Sequence, residues 1–160
     1  MKSANIERCE GLGRVMAQIH SALARKAKRK VSRLPSGLIH GALVPDNIFF
    51  LGNEVRGVIN FRLRHEDYLV SEIAGVLVNW ALGSDGGVDP VRGQALLRGY
   101  QTERVLTAAE KDALSGFVLA SAARVLRRQR QRGSTGRALH GSIQVDIARY
   151  IPLAQNPTTS

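Results

Sequence analysis

The sequence predicts a mainly helical α+β fold in which helices pack around a small β-hairpin. Long segments carry apolar residues at helical spacing, whereas a short β-rich stretch alternates around a Gly-Asn turn. Residues typical of helix starts precede three of the helical segments. Hydrophobic residues make up 44% of the 160 residues and charged residues 22%. This balance is typical of a globular protein and excludes a disordered or collagen-like chain for most of the length.

The first element is predicted as a helix over residues 5–24, with Asn5 as its N-terminal cap. Its apolar residues recur at roughly helical spacing, namely Ile6, Val15, Met16, Ile19 and Leu23. Gly11 and Gly13 weaken this helix, because glycine in a helix interior costs more conformational entropy than alanine.

The β-rich part follows a Pro-Ser-Gly break at residues 35–37. Residues 38–40 are predicted as a short strand, and residues 48–51 as a second one after a loop. A turn at residues 52–53 leads into a return strand over residues 55–61, which completes a hairpin. One face of the return strand consists of Val55, Gly57, Ile59 and Phe61.

The second half of the chain is predicted to be helical. Residues 68–82 are apolar on most faces, which indicates a buried helix. Asp89, followed by proline, starts a helix that runs to about residue 100. Thr107 and Glu110 have the spacing of a capping box before the last long helix, which ends before Gly133. The apolar residues of that helix are Leu114, Phe117, Val118, Ala122, Val125 and Leu126.

Charge is the unusual property of this chain, with 23 Lys and Arg against 13 Asp and Glu, a net charge of +10. The basic residues form two clusters, Arg25, Lys26, Lys28, Arg29, Lys30 and Arg33, and Arg124, Arg127, Arg128, Arg130, Arg132 and Arg137. Such clusters are usually a solvated face, and they would also suit a protein that binds a polyanion. No apolar run approaches the ~20 residues of a spanning helix, and the lone Cys9 cannot form an internal disulfide. We therefore expect a cytoplasmic protein without a membrane partner.

The motif that carries chemistry begins at His40. In kinase-type phosphotransferases, a loop of the form H-x-D-x-x-x-x-N supplies an aspartate base for the attacking hydroxyl and an asparagine that holds Mg²⁺. A second aspartate on the following hairpin holds the metal that bridges the nucleotide phosphates. Here His40 and Asn47 stand at the matching spacing, but the base position is Ala42 and the second metal position is Asn60. Both aspartates of the pattern are therefore absent.

Over about residues 36–126 the chain resembles homoserine kinase, in the aminoglycoside phosphotransferase and choline kinase superfamily. The stretches that carry the resemblance are Ile39-His-Gly-Ala-Leu-Val-Pro-Asp-Asn-Ile-Phe-Phe-Leu51, Arg56-Gly-Val-Ile-Asn-Phe61, Leu96-Leu-Arg-Gly-Tyr-Gln101 and Leu106-Thr-Ala-Ala-Glu110. The resemblance implies a protein-kinase-like C-terminal lobe over residues 36–132. Residues 1–35 would be a hinge-region helix and basic connector, and residues 133–160 a divergent tail. The nucleotide-covering N-terminal lobe of the family is expected to be missing.

The resemblance also implies ATP and Mg²⁺ as cofactors and homoserine as the phosphoryl acceptor, in threonine biosynthesis. Since Ala42 and Asn60 replace the two acids, we expect catalysis to be impaired and binding of ATP and Mg²⁺ to be weak. His40 is expected to be a structural residue of the loop. Two roles are open for Asn47, that of a Mg²⁺ ligand and that of a structural residue that forms hydrogen bonds. The acids that remain as alternatives for a relocated base are Asp46, Asp67 and Glu72.

Two other functions stay open at this point. The basic clusters would suit a non-catalytic module that binds a polyanion. The surface left by the missing N-terminal lobe would suit a pseudoenzyme subunit that docks on another protein. Residues 127–132 place arginines where the family has apolar residues, and we expect them to be exposed because burial of an unpaired guanidinium is strongly disfavoured.

Overall fold

Four helices and two small antiparallel sheets make up the part of the chain that the computed structural model describes, residues 4–24, 33–84 and 87–131. In chain order the elements are α1 (Ile6–Ala24), β1 (Ser36–Ile39), β2 (Ile48–Leu51), β3 (Glu54–Val58), β4 (His65–Tyr68), α2 (Leu69–Trp80), α3 (Pro90–Gln101) and α4 (Ala108–Gln131). Short 3-10 turns lie at Pro45–Asn47 and Phe61–Leu63. The predicted α+β class, mainly helical, is confirmed. None of the described helices has the length and apolarity that a membrane span needs.

The predicted hairpin is present, but its return strand is shorter than the sequence predicts. β2 and β3 pair in antiparallel register, with Ile48 opposite Val58. The prediction that the return strand continues to Phe61 is wrong, since β3 ends at Val58. The cause lies at Asn60, whose φ of 67° is in the left-handed region and turns the chain out of the extended path.

The second sheet pairs β1 with β4 and is not predicted from the sequence. Ser36 lies opposite Tyr68, and Ile39 lies opposite His65. β4 reads His-Glu-Asp-Tyr and lacks the apolar alternation by which strands are recognised. The predicted strand over residues 38–40 is also shifted: β1 begins at Ser36 and ends at Ile39. His40 leaves the strand because its N–H bonds to a buried side chain of α2.

α1 packs closely against α3, and two glycines allow the two backbones to approach each other. A Cβ at Gly13 would overlap the carbonyl oxygen of Leu96, and a Cβ at Gly99 would overlap that of Glu10. Gly13, which weakens the helix in the sequence-based prediction, is therefore the residue that lets the two backbones approach. The buried side chains near this crossing are Cys9, Leu12, Met16, Leu97 and Tyr100.

Three of the predicted helix starts have the expected side-chain caps. Asn5 accepts the backbone N–H of Arg8 at 2.8 Å. The carboxylate of Asp89 accepts two N–H groups of the first turn of α3. Thr107 and Glu110 form the capping box, with bonds of 3.2 and 2.9 Å between side chains and backbone N–H groups. These local signals are confirmed because each cap satisfies donors that a helix terminus leaves unpaired.

The basic end of α4 is solvated as far as the structure describes it. Arg127 and Arg128 are exposed, which confirms the prediction for these two residues. The side chain of Arg130 and all of Arg132 lie outside the described residues. The same holds for residues 25–32 of the basic connector and for the tail after Arg132.

Replacement of Gly99 by alanine is expected to destabilise the fold by about 3 kcal/mol, because the added methyl group must push α3 away from the backbone of α1. Gly116→Ala in α4 is the matched control, since a Cβ there meets nothing within 4 Å. Alanine should stabilise that position by about 1 kcal/mol. Urea unfolding followed by circular dichroism measures both variants. Equal stability of the two would show that the crossing has room for a side chain.

Candidate functional site

The loop between β1 and β2 carries His40, Ala42 and Asn47, and a single carboxylate holds its first turn. Oε2 of Glu72 on α2 accepts the N–H of His40 at 3.0 Å, and Oε1 accepts the N–H of Gly41 at 2.7 Å. The Glu72 side chain is 3% exposed. Both of its oxygens are committed to backbone donors, so this carboxylate is not placed to act as a relocated base.

The His40 ring bonds to backbone through both of its nitrogens. Nε2 lies 2.8 Å from the carbonyl oxygen of Ile59, and Nδ1 accepts the N–H of Ala42 at 3.2 Å. The proton therefore resides on Nε2, which donates to the carbonyl. The ring also meets Phe61 edge to face, with centroids 4.7 Å apart. These contacts join the loop to the segment that follows β3.

Asn47 and Asn60, the two sequence-predicted metal positions, lie within hydrogen-bond distance of each other. The Asn60 amide donates to Oδ1 of Asn47 at 2.6 Å, while Nδ2 of Asn47 donates to the carbonyl of Ala42 at 2.8 Å. The backbone carbonyl of Asn47 accepts the N–H of Ile59 at 3.0 Å. Asn47 thus has its side-chain oxygen and nitrogen both engaged. Within the described residues, no three His, Cys, Asp or Glu side chains gather as a metal site.

Ala42 is half-buried and lines a pocket of about 140 Å³ between the loop, α2 and α4. Asp67 also lines this pocket, but its oxygens accept the N–H of Tyr68 at 2.7 Å and the hydroxyl of Ser71 at 3.1 Å. Asp46 is exposed in the 3-10 turn and does not line the pocket. No carboxylate occupies the base position itself.

A buried polar chain continues from Glu72 through the helical core, and the sequence did not predict it. His20 of α1 places Nε2 at 2.9 Å from Oε2 of Glu72 and Nδ1 at 2.8 Å from the hydroxyl of Tyr100. Arg104 donates to that hydroxyl at 3.1 Å and to both carboxylate oxygens of Glu110 at 3.0 Å. The chain therefore links α1, α2, α3 and the start of α4. His20, a polar residue at a core-facing position of α1, is the one sequence signal that indicates this buried polar chain.

Tyr100 is the buried hydroxyl in the middle of this chain. Burial raises the pKa of Tyr100 to about 12, although the nearby charge of Arg104 lowers it. The Tyr100 hydroxyl accepts from Arg104, which leaves its own proton free to face Nδ1 of His20, while Nε2 of the same ring faces Glu72. Burial lowers the pKa of Arg104, but Tyr100 and Glu110 outweigh it and leave that pKa raised.

Residues 6–106 of the chain match the phosphotransferase enzyme family, a match that already begins at α1. Among curated proteins, a homoserine kinase of Gluconacetobacter diazotrophicus is 41% identical over 114 residues, which is 70% of this chain and 36% of that protein. A homoserine kinase of Granulibacter bethesdensis is 44% identical over 104 residues, 65% of this chain and 32% of that protein. One from Sinorhizobium medicae is 44% identical over 91 residues, 57% of this chain and 28% of that protein.

The chain therefore spans about a third of the length of the curated relatives it matches. The resemblance to homoserine kinase that the motifs indicate is confirmed by these similarities. The matched residues include the whole loop from His40 to Asn47 and the segment with Asn60.

Glu72→Gln is expected to destabilise the protein by about 3 kcal/mol, because an amide cannot accept from both backbone N–H groups and from His20 at once. Glu54→Gln is the matched control. Its carboxylate is exposed and pairs only with Arg56 at the surface, so a change of about 0.5 kcal/mol or less is expected. Chemical unfolding gives both values, and similar losses in the two variants would contradict a central role for Glu72.

Proposed function

Because the chain belongs to the phosphotransferase enzyme family and is homoserine kinase-like in sequence, we propose that it is a catalytically impaired member of that family. In this proposal residues 36–132 form a protein-kinase-like C-terminal lobe, with α1 as the hinge-region helix before it. The family reaction moves the γ-phosphoryl group of ATP to a hydroxyl, that of homoserine for the relatives named above. The observation that carries the proposal is that Ala42 and Asn60 stand where the motif has acids, with the Asn60 amide bonded to Asn47.

Ala42 accounts for the first part of the impairment. A methyl group cannot accept a proton, and a general base typically contributes about 10²–10⁴-fold to the rate. The neighbouring carboxylates do not replace it, since Glu72 and Asp67 hold donors of their own backbone and side chains. The attacking hydroxyl therefore lacks an acceptor for its proton at this position.

The two metal positions account for the second part of the catalytic impairment. Mg²⁺ binds through carboxylate and phosphate oxygens, whereas Asn47 and Asn60 offer amides that already bond to each other. A cation at Oδ1 of Asn47 would have to displace the Asn60 amide and would meet no negative charge in return. The residues present do not fit the magnesium ion that the family reaction uses, and we assign no step to it.

His40 has a positioning role in this proposal. Its ring bonds to two backbone groups and holds the loop against the end of the hairpin. These backbone contacts hold the loop in place although the acids of the motif are replaced.

We expect the purified chain to release no ADP above background when it is mixed with Mg²⁺, ATP and homoserine. The physical reason is the absence of a proton acceptor and of a charged metal ligand at the two motif positions. A coupled ADP assay with and without homoserine measures this. Homoserine-dependent turnover by the unmodified chain would contradict the proposal and would make Asp67 the first acid to mutate.

Asn60→Asp is expected to tighten Mn²⁺ binding at least about tenfold, since a carboxylate frees Oδ1 of Asn47 and adds a negative charge beside it. Aspartate tolerates the left-handed backbone at this position. Titration of Mn²⁺ followed by electron paramagnetic resonance measures the affinity. Gln94→Glu on the exposed side of α3 is the control with the same change of charge. An equal gain in both variants would mean that net charge, and not the paired site, controls the affinity.

A second candidate function, a pseudoenzyme subunit that docks on another chain, is favoured by the exposed apolar side chains of the hairpin and the turn after it. These are Phe49, Leu51, Ile59, Phe61 and Leu63, of which Leu51 is 67% exposed. Contiguous exposed apolar surface is typical of interaction sites. Light scattering would support self-association if the molar mass exceeded that of one chain. Polyanion binding by the basic clusters stays a prediction, because most of the first cluster lies outside the described residues.

A further inference from the structure

One face of the β2–β3 hairpin exposes large apolar side chains to solvent. Phe50 packs against the core, whereas its neighbours Phe49 and Leu51 alternate with it and are 53% and 67% exposed. Across the hairpin the Phe49 ring covers Gly57, where a Cβ would lie 3.7 Å from it. Ile59, two residues after Gly57, is also exposed. Phe49, Leu51 and Ile59 form the outer hairpin face, and exposed apolar surface of this kind is typical of an interaction site.

A second copy of the chain is a poor occupant of the outer hairpin face. Glu54 and Arg56 of β3 form an ion pair of 2.9 Å at the surface of the hairpin. Charged residues on an edge strand oppose pairing with a strand of another molecule. Two copies that each carry a net charge of +10 also repel each other. The face therefore favours an apolar segment that carries little net charge.

The chain itself contains such a segment in residues 143–153, which we call the tail segment. Its sequence is Ile-Gln-Val-Asp-Ile-Ala-Arg-Tyr-Ile-Pro-Leu, in which one acid and one base cancel and most other residues are apolar. Residues 132–142, which precede it, are rich in glycine and serine and contain few large apolar residues. A composition of this kind is typical of a linker. The sequence thus places an apolar segment after a linker that leads away from α4.

The tail segment is within reach of the outer hairpin face. Arg128, in the last turn of α4, lines the same cavity as Ala42 of the loop that leads into β2. Residues 132–142 can extend to about 36 Å, whereas a domain of this size has a radius of gyration of about 14 Å. A short linker keeps the segment that it carries at an effective concentration of about 1 mM, so weak apolar contacts are enough for docking.

We propose that the tail segment packs against the outer hairpin face of its own chain and covers Phe49, Leu51 and Ile59. Burial of these side chains against apolar residues of the segment removes them from water and drives the contact. The tail segment then competes with any partner chain for the surface on which the second candidate function depends. The contact lies within one chain and does not rest on that function, nor on the outcome of the ADP assay.

Paramagnetic broadening of the hairpin amide signals tests this contact in the full chain. The variant Gln144→Cys carries a nitroxide label, while Cys9 stays unlabelled because it is buried and burial raises the pKa of its thiol to about 11. We expect the nitroxide to broaden the amide signals of Phe49, Leu51 and Gly57 in a nitrogen-15 chain that carries it. A nitroxide-bearing chain without nitrogen-15, mixed with a nitrogen-15 chain without nitroxide, should broaden none of them. Broadening in the mixture would identify a second copy as the occupant, and no broadening in either sample would mean that the segment does not dock. Each of these two results would overturn the proposal.

Leu51→Asp in the face and Ile147→Asp in the tail segment are each expected to weaken docking at least about tenfold and so to remove the broadening, because a carboxylate replaces an apolar side chain of the contact. Leu119→Asp is the matched control, since this leucine is 45% exposed but lies on α4. Circular dichroism checks that each variant keeps its helices. Full broadening in Leu51→Asp or Ile147→Asp, or an equal loss in Leu119→Asp, would overturn the proposal.

Discussion

The buried carboxylate of Glu72 joins the functional loop to the helical core. Two loop N–H groups and the His20 imidazole bond to it. One carboxylate on α2 therefore connects α1 and the loop. The chain continues through Tyr100 and Arg104 to Glu110 at the start of α4. A buried ion costs several kcal/mol unless hydrogen bonds compensate it, and each member of this chain compensates another. The course of the loop therefore depends on how the helices pack.

The helices and their caps could be predicted from the sequence because their signals are local. Asn5, Asp89 and the Thr107–Glu110 pair each satisfy donors within a few residues of themselves. The sheet of β1 and β4 could not be predicted in this way. Its strands are separated along the chain, and the polar β4 is an edge that pairs only on one side. The early end of β3 follows from the left-handed backbone of Asn60, which no apolar pattern reports.

The motif identified Asn47 and Asn60 as its two metal positions, and the structure brings their side chains to 2.6 Å of each other. The spacing could not predict that the two amides bond to each other, with Asn60 as the donor and Asn47 as the acceptor. An aspartate and an asparagine at these positions would leave oxygens facing a cation, whereas two asparagines pair as donor and acceptor. The role of Glu72 was missed for a related reason. Its partners come from two distant parts of the chain, α1 and the loop after β1, so they become apparent only once the helices are packed.

The glycine crossing of α1 and α3 has a consequence for biosynthesis. Gly13 lies near the start of the chain and Gly99 far along it, so their approach closes most of the described chain into one loop, at an entropy cost that grows with loop length. Ribosomes add about 5–20 residues per second, so α1 is synthesised several seconds before α3 exists. During that interval the apolar face with Leu12 and Met16 has no partner helix to cover it. Chaperones that bind nascent apolar helices would meet α1 before its partner α3 is available.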